Sequence, residues 1–413
     1  MSFKTRIIGI IGNIFEHYDS ALFGLLAPFI ASLFFETEDP VTALILTYGM
    51  LPLGILFRPL GSLFFGWIGD HWGRRQALFF SLTGMACATV LMGCLPTYAT
   101  AGIYAPLSLA LCRILQNFCV AGESVGGAIF VLEHTKLSQR NLISSLYNSS
   151  TIAGILMASL FVTLASNSML DVGFWRIIYW SGGVCALFAV LVRYQTTESS
   201  EFATSQAPPR EHLGAVIKKN RKALLGIICV AGFSYTTYAI PLTMMNGFIP
   251  LITSLSLTEV MQANTFLLAL DMVLLPYFGY LATRFSKEKI MLIATLVAVV
   301  SGVPLFLLLQ AGSLSTVVFV RLFIVIVGVA FSACYHSWAQ ELVSPHHRYT
   351  IISLGHALGS QLIGTPSAAL SLWLFHKTGW VGSPAFYFMG SAALAGGCIL
   401  YLMPRAVPRR ELF

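Results

Sequence analysis

The sequence predicts an all-α integral membrane protein, with twelve transmembrane helices in two pseudo-symmetric six-helix halves. Three observations lead there. Of 413 residues, 56% are hydrophobic and 10% charged, and the mean hydropathy is +0.78; a soluble domain carries about 25% charged residues to face water. Apolar runs recur along the whole chain, and a bilayer crossing needs roughly 20 such residues. The basic residues collect in alternate breaks between those runs, as they do in multi-pass proteins with a fixed orientation.

The runs lie near residues 7–34, 41–69, 76–95, 102–133, 141–166, 174–194, 221–251, 259–283, 288–310, 315–342, 349–373 and 383–403. The first follows Lys4 and Arg6 without a small-residue cleavage pattern, so it reads as a retained span. Several runs exceed the length of a perpendicular crossing, which implies tilt, kinks or extensions beyond the bilayer. The one long break, Gln195 to Asn220, holds Glu198, Glu201, Pro208, Pro209, Arg210, Lys218 and Lys219. It divides the chain into an N-terminal half 1–194, a cytoplasmic linker 195–220 and a C-terminal half 221–413.

With both termini placed in the cytoplasm, nineteen of the 24 Lys and Arg fall on that side. Arg176 and Lys377 fall outside, and Arg58, Arg113 and Arg321 fall in spans. This asymmetry supports an even number of spans. It also accounts for the net charge of +7 without a nucleic-acid partner. The eight cysteines all sit in apolar stretches, with no CxxC pair, so they read as small buried hydrophobes and not as a disulfide framework or zinc site. No cofactor or metal is implied. No Gly-x-Ser-x-Gly, His-Glu-x-x-His or P-loop pattern occurs, so an enzyme is not expected.

The segment Gly66–Arg75, after the second run, is echoed by Gly279–Glu288 after the eighth. Glycine opens both, and a basic residue stands ninth in both. Arg113 and Arg321 are offset by a similar distance. Two parallel six-helix repeats are a design of secondary transporters, with substrate held near the bilayer midplane.

Gly66-Trp67-Ile68-Gly69-Asp70-His71-Trp72-Gly73-Arg74-Arg75 resembles the G-x-x-x-D-x-x-G-R-R/K loop motif of the major facilitator superfamily. Gly12-Asn13-Ile14-Phe15-Glu16-His17-Tyr18-Asp19 resembles the G-N-x-x-E-W-[FY]-D signature of its metabolite:proton symporter family, as do Arg58-Pro59-Leu60-Gly61, Arg113-Ile114-Leu115-Gln116-Asn117-Phe118 with Gly122-Glu123 and Glu133, Trp175-Arg176, Arg193 with Glu198 and Phe202, Pro345–Tyr349 and Gly364-Thr365-Pro366. Between Pro96 and Glu133 the wording is nearest the proline/betaine branch. Members of this family carry proline and glycine betaine, 2-oxoglutarate, citrate or shikimate. His17 stands where the family has tryptophan, Ser20 where it has phenylalanine, Asn117 where it has glycine, and Thr283 where the second loop copy has an acid. The chain ends at Phe413, without the C-terminal coiled-coil extension of osmosensing members, so osmosensing is not expected.

Charges in a bilayer centre are costly, so their sites are informative. Glu16 and Asp19 are three residues apart and share a helix face. Two such carboxylates in low dielectric resist being charged together, which suits a proton-coupling pair; the alternative is an ion pair with Arg113 or a helix cap. Arg113, Gln116 and Glu123 fall near one face of the fourth span. Arg113 with Gln116 suits a substrate carboxylate, because the guanidinium fork is planar and always charged. Glu123 is a reserve proton site, and an Arg–Glu lock is the alternative. Asp271 in the eighth span is a coupling or salt-bridge candidate.

His17, Tyr18, Tyr235, Tyr238 and His336 are candidate substrate contacts, the span-seven aromatics as a cation–π wall or as packing around a kink at Pro241. His17 and His356 are further titrating or packing histidines. Arg321 reads as snorkelling outward, with added anion affinity as the alternative. Gly66, Asp70, Gly73, Arg74, Arg75 and Glu133 form a candidate gate, with Asp70 able to cap a helix N-terminus and to pair with an arginine.

The expected activity is proton-coupled import of a small carboxylate-bearing metabolite, proline- or betaine-like, with a di- or tricarboxylate as the alternative. The expected place is the bacterial inner membrane. The expected partners are substrate, proton and lipid, and the expected state is a monomer.

Overall fold

The computed structural model describes residues 3–36, 47, 50, 53–167, 173–194, 198 and 212–403. The start of the second apolar run, the linker apart from Glu198 and residues 212–220, and the basic C-terminal residues Arg405, Arg409 and Arg410 lie outside these. The described residues are helical almost throughout, with no strand among them.

The long helices are α1 (Phe3–Phe34), α2 (Leu53–His71), α3 (Arg74–Cys94), α4 (Tyr104–Glu133), α5 (Arg140–Asn167) and α6 (Phe174–Tyr194). There follow α7 (Arg221–Ile252), α8 (Leu257–Arg284), α9 (Lys287–Ala311), α10 (Leu314–Glu341), α11 (348–378) and α12 (Ala385–Leu402). Each falls on an apolar run of the sequence. Among the described residues, nine helices are long and apolar enough to cross a membrane: α3 to α10, and α12. Their outer faces keep large apolar side chains exposed, such as Leu111, Val184, Leu191, Leu296 and Val300. A water-facing surface does not tolerate apolar area on that scale, whereas lipid does.

Three spans are broken, each for a local reason. Wide turns interrupt α7 at Ile240–Met244 and α11 at Ser360–Gly364. Pro241 lies in the first and Pro366 just after the second, and proline removes a ladder donor. In α10 a turn at Ala333 and Cys334 separates Leu314–Ser332 from Tyr335–Glu341.

The chain divides into two compact units, residues 1–134 with 150–208, and residues 135–149 with 209–413. In the first unit α3 packs on α6 and α4, α4 on α2, and α1 on α6 and α4. In the second, α9 packs on α12 and α10, α10 on α8, and α7 on α12 and α10. The second pattern is the first shifted by six helices, so the faint sequence repeat is a structural one. The core of the first unit gathers Tyr18, Leu22, Phe23, Met92, Leu109, Cys112, Trp175 and Tyr179.

Small residues bring the helices together, as expected where lipid supplies no hydrophobic drive. A Cβ at Gly154 would fall 2.4 Å from the Ile14 carbonyl oxygen, so α5 lies directly on the α1 backbone. In the second unit a Cβ at Gly359 would fall 2.3 Å from the Ile228 carbonyl oxygen. The segment 135–149 packs within the second unit through a polar stripe. Asn141 donates to the Ala282 carbonyl, Ser149 to that of Met272 and Asn148 to that of Ser332, each at 2.7 Å.

Candidate functional site

In the first unit, α1, α3 and α4 converge on a polar cluster inside an otherwise apolar core. Asp19 is fully buried. Its carboxylate accepts from Thr89 Oγ1 at 2.5 Å and from Gln116 Nε2 at 2.9 Å. The Gln116 Oε1 in turn accepts from Arg113 Nη1. Only one amide orientation serves both neighbours, because a carboxylate accepts and a guanidinium donates. The Arg113 guanidinium lies over the Phe23 ring, 4.1 Å from its centroid. Its Nε has no hydrogen-bond partner, and no carboxylate among the described residues pairs with it. The ion pair between Arg113 and the α1 carboxylates, one alternative from sequence, is therefore absent. Gln116 stands in the gap.

One turn below Asp19, Glu16 is 2% exposed. One oxygen accepts from Ser124 Oγ at 2.8 Å. The other, Oε2, lies 3.2 Å from His17 Nδ1. His17 Nδ1 is 3.0 Å from the Asn13 carbonyl. Asn13 donates to Ser150 Oγ at 2.7 Å and Thr151 Oγ1 at 3.0 Å, tying α1 to α5. Glu123 is fully buried beside Ser124 on α4. Tyr18 faces the other way, into the apolar core, with its hydroxyl 2.9 Å from Ser181 Oγ and Phe161 edge-on to its ring. Arg58 donates to Asn117 Oδ1 at 3.1 Å, so the residue standing in place of a family glycine carries a polar link from α4 to α2.

The gate residues also come together. Gly66 is buried in α2 and Asp70 in its last turn. Gly73 turns the chain with φ of 107°, a conformation open to glycine and poor for other residues. Arg74 is fully buried and donates to Asp70 Oδ1 at 2.8 Å and to the Gly69 carbonyl at 2.5 Å. Its Nε lies 3.5 Å from Glu133 Oε2. The pairing of Asp70 with an arginine holds. The N-terminus of α3 is held by Glu198, whose two oxygens accept from the Arg74 and Arg75 backbone N–H groups at 3.2 and 3.1 Å. A carboxylate on free N–H groups at a helix start is favourable in both hydrogen bonding and dipole.

The second unit repeats this in reduced form. Lys287, at the start of α9, is buried and paired with Glu341 at the end of α10. Thr283 stands at the Asp70 position and bonds only to the Tyr280 carbonyl. The arginines after the two loops match as well: Arg140 Nε donates to the Thr135 carbonyl and Arg348 Nε to that of Val343, both at 3.4 Å. The sequence signal for this was available as Glu133-x6-Arg140 and Glu341-x6-Arg348. Thr89, Ser124 and Phe23 carried no such signal, since nothing in a span marks which hydroxyl or ring meets a charge.

Arg321 overturns the expectation that it snorkels outward. It is fully buried. Its Nε donates to the Pro241 carbonyl at 2.8 Å, Nη1 to that of Val260 at 3.1 Å, and Nη2 to Asn246 Oδ1 at 2.9 Å and to Asn264 Oδ1. The interrupted turn of α7 offers a carbonyl, and neutral oxygens from α7 and α8 complete the cage.

Asp271 is 8% exposed on α8, with no hydrogen-bond or ion-pair partner among the described residues. Tyr238 is half-buried on α7 and electrostatically close to it. Tyr235 is exposed, with its Cβ where a side chain on Gly364 would go. His336 packs with Tyr335, Tyr147 and His356, ring centroids 4.8, 5.7 and 6.2 Å away, and His356 Nδ1 is 3.0 Å from the Tyr335 hydroxyl.

Apolar-faced helices that bury ionisable groups in polar clusters define a multi-pass membrane protein with a charged interior. The chain belongs to the Major Facilitator Superfamily, whose profile matches residues 10–364. Among its relatives are the proline/betaine transporter of Salmonella typhimurium strain LT2, 26% identical over 404 residues, and that of Escherichia coli strain K12, 25% identical over 399. These matches span 93% and 92% of this chain and 80% and 79% of the relatives. A double-tryptophan mutant of XylE shares the fold, with a TM-score of 0.80 at 13% identity over 98% of this chain and 96% of that one. The protein is a multi-pass plasma-membrane transporter.

Proposed function

We propose that this transporter imports a small carboxylate-bearing metabolite of the proline or glycine betaine kind together with a proton. The observation that carries the reading is the Arg113 guanidinium. It is 5% exposed, it has an Nε–H without an acceptor, and no carboxylate among the described residues pairs with it. A buried cation left in that state suits an anionic group supplied by the substrate. Gln116 orients the fork from one side and Phe23 backs its face.

Glu16 and Asp19, with Glu123 on α4 and Asp271 on α8, are the carboxylates available for coupling. With Glu16 and Asp19 both charged, repulsion and desolvation oppose a dry, occluded state; a proton on one lifts that penalty. The names of the relatives support the substrate class. The distribution of Lys and Arg supports cytoplasmic termini.

The test is uptake into proteoliposomes, acidic outside, from a labelled panel of proline, glycine betaine, 2-oxoglutarate and citrate. The expected result is accumulation of proline or betaine that collapses when the proton gradient is dissipated. Glu16→Gln, Asp19→Asn and Glu123→Gln are compared for gradient-driven uptake and for counterflow exchange, which moves no net proton. Loss of accumulation with retained exchange marks a coupling residue. If all three variants still concentrate substrate on the gradient, the carboxylate assignment fails. If the native protein does so without any gradient dependence, proton symport fails.

A further inference from the structure

His17 is the one imidazole packed against the α1 carboxylates, and its placement differs from that of the groups around it. Its side chain keeps 22% of its surface accessible, while the Glu16 side chain beside it keeps 1%. Its Nδ1 faces two acceptors, the Asn13 carbonyl at 3.0 Å and Glu16 Oε2 at 3.2 Å. A ring nitrogen between two acceptor oxygens carries the hydrogen, so the neutral ring is the Nδ1–H tautomer and its lone pair is on Nε2. Apart from the 3.2 Å approach of His17 Nδ1, Glu16 Oε2 has no hydrogen-bond partner, whereas Oε1 is held by Ser124. It is the carboxylate oxygen open to a proton. Around the ring, Glu16 on α1 attracts a positive charge and Arg58 on α2 opposes one. From α5 the packing neighbour is Gly154, where a Cβ would stand 3.0 Å from that of His17.

We propose that His17 is the proton port of Glu16. We place Nε2 on the accessible edge of the ring and that edge toward water; a hydronium proton adds there and gives the imidazolium. The Nδ1–H bond then breaks and an O–H bond forms at Glu16 Oε2. The ring is left neutral with hydrogen on Nε2; it resets by turning about Cβ–Cγ, which brings Nδ1 to the accessible edge, where water gives a proton to Nδ1 and takes one from Nε2, with no net change in protons. The sum is one proton moved from solution to a buried carboxylate that solution does not reach directly. This rests on the proton-coupled reading above, and it assigns the path by which the coupling proton enters.

The experiment is infrared spectroscopy of the full-length protein in proteoliposomes after a rapid drop in pH, without substrate. The carboxylic C=O band that disappears in Glu16→Gln reports protonation of Glu16. In His17→Gln that band is expected to reach its native amplitude roughly tenfold or more slowly, in line with the loss of a proton-transfer group. Imidazole added to the buffer is expected to restore the rate, which a merely structural role for His17 would not allow. His17→Trp is the second variant, used if His17→Gln does not fold. An unchanged rate in the variant, a slow rate that imidazole does not restore, or the absence of a Glu16 band in the native protein overturns the port. If the band behaves as expected but uptake ignores the proton gradient, the port stands and the symport reading fails.

Discussion

Asp19 and Arg113 do not touch, and a single glutamine keeps them apart. Gln116 gives its amide hydrogen to Asp19 at 2.9 Å and receives one from Arg113 on its oxygen. In a low-dielectric interior a carboxylate and a guanidinium at this range pair strongly if they can. Thr89 and Gln116 supply the hydrogen bonds Asp19 needs without a cation, and Phe23 supplies a face for Arg113 without an anion. Neither ion is paired with an opposite charge among the described residues, which is the state that the proposed coupling and substrate roles require.

Removing the spacer should let the two ions meet. In Gln116→Leu we expect Arg113 to fall onto Asp19 and the apparent affinity for substrate to drop about tenfold, or about 1.4 kcal/mol. Equilibrium binding checks this, and unaltered affinity would show that Gln116 is not a spacer.

The geometry of the fork, and not charge alone, should read the substrate. Arg113→Lys keeps the cation but replaces a planar fork with a point charge. We expect it to lose most of the discrimination between the carboxylate substrate and its amide analogue. Equal discrimination in variant and native protein would make Arg113 a structural residue.

The Arg74 cluster should govern turnover more than binding. Asp70→Asn removes one of the acids around Arg74, and Glu198→Gln weakens the hold on the α3 N-terminus by about 0.3–2 kcal/mol. Both should bind substrate normally and transport it several-fold more slowly. Normal turnover in both would show that the cluster does not gate.

Arg321 should be required for stability. Arg321→Met leaves the Asn246 and Asn264 amide oxygens without their donor and removes charge-assisted bonds worth about 1.5–3 kcal/mol each at most. A lowered melting temperature is expected in detergent, with partial recovery in Arg321→Lys. A melting temperature equal to that of the native protein would mean the cage is dispensable.

A close approach of backbone to backbone makes Gly154 sensitive as well. A Cβ there meets the Ile14 carbonyl at 2.4 Å, so Gly154→Val must push α5 from α1 at a cost of about 1–3 kcal/mol. The Asn13 bonds to Ser150 and Thr151 should go with it. Thermal unfolding of the variant measures the cost, and native stability would refute the contact.

The sequence by itself determined the solvent, the helices and the family. Ten per cent charge, periodic apolar runs and alternating basic breaks admit few alternatives, because a span must satisfy its backbone internally and exclude charge. It also marked the ionisable residues, since each one in a span is costly enough to need a reason. Tertiary structure decided what each of them faces. Arg113 and Arg321 occupy matching places on α4 and α10, yet one keeps a free Nε–H and the other fills a cage of four neutral oxygens. Glu198, more than 120 residues along the chain from the start of α3, supplies both oxygens that accept from the N–H groups there. These outcomes depend on which neighbour a helix rotation and a glycine contact bring within hydrogen-bond range. That range is about 3 Å, far finer than the spacing of residues along a chain can specify.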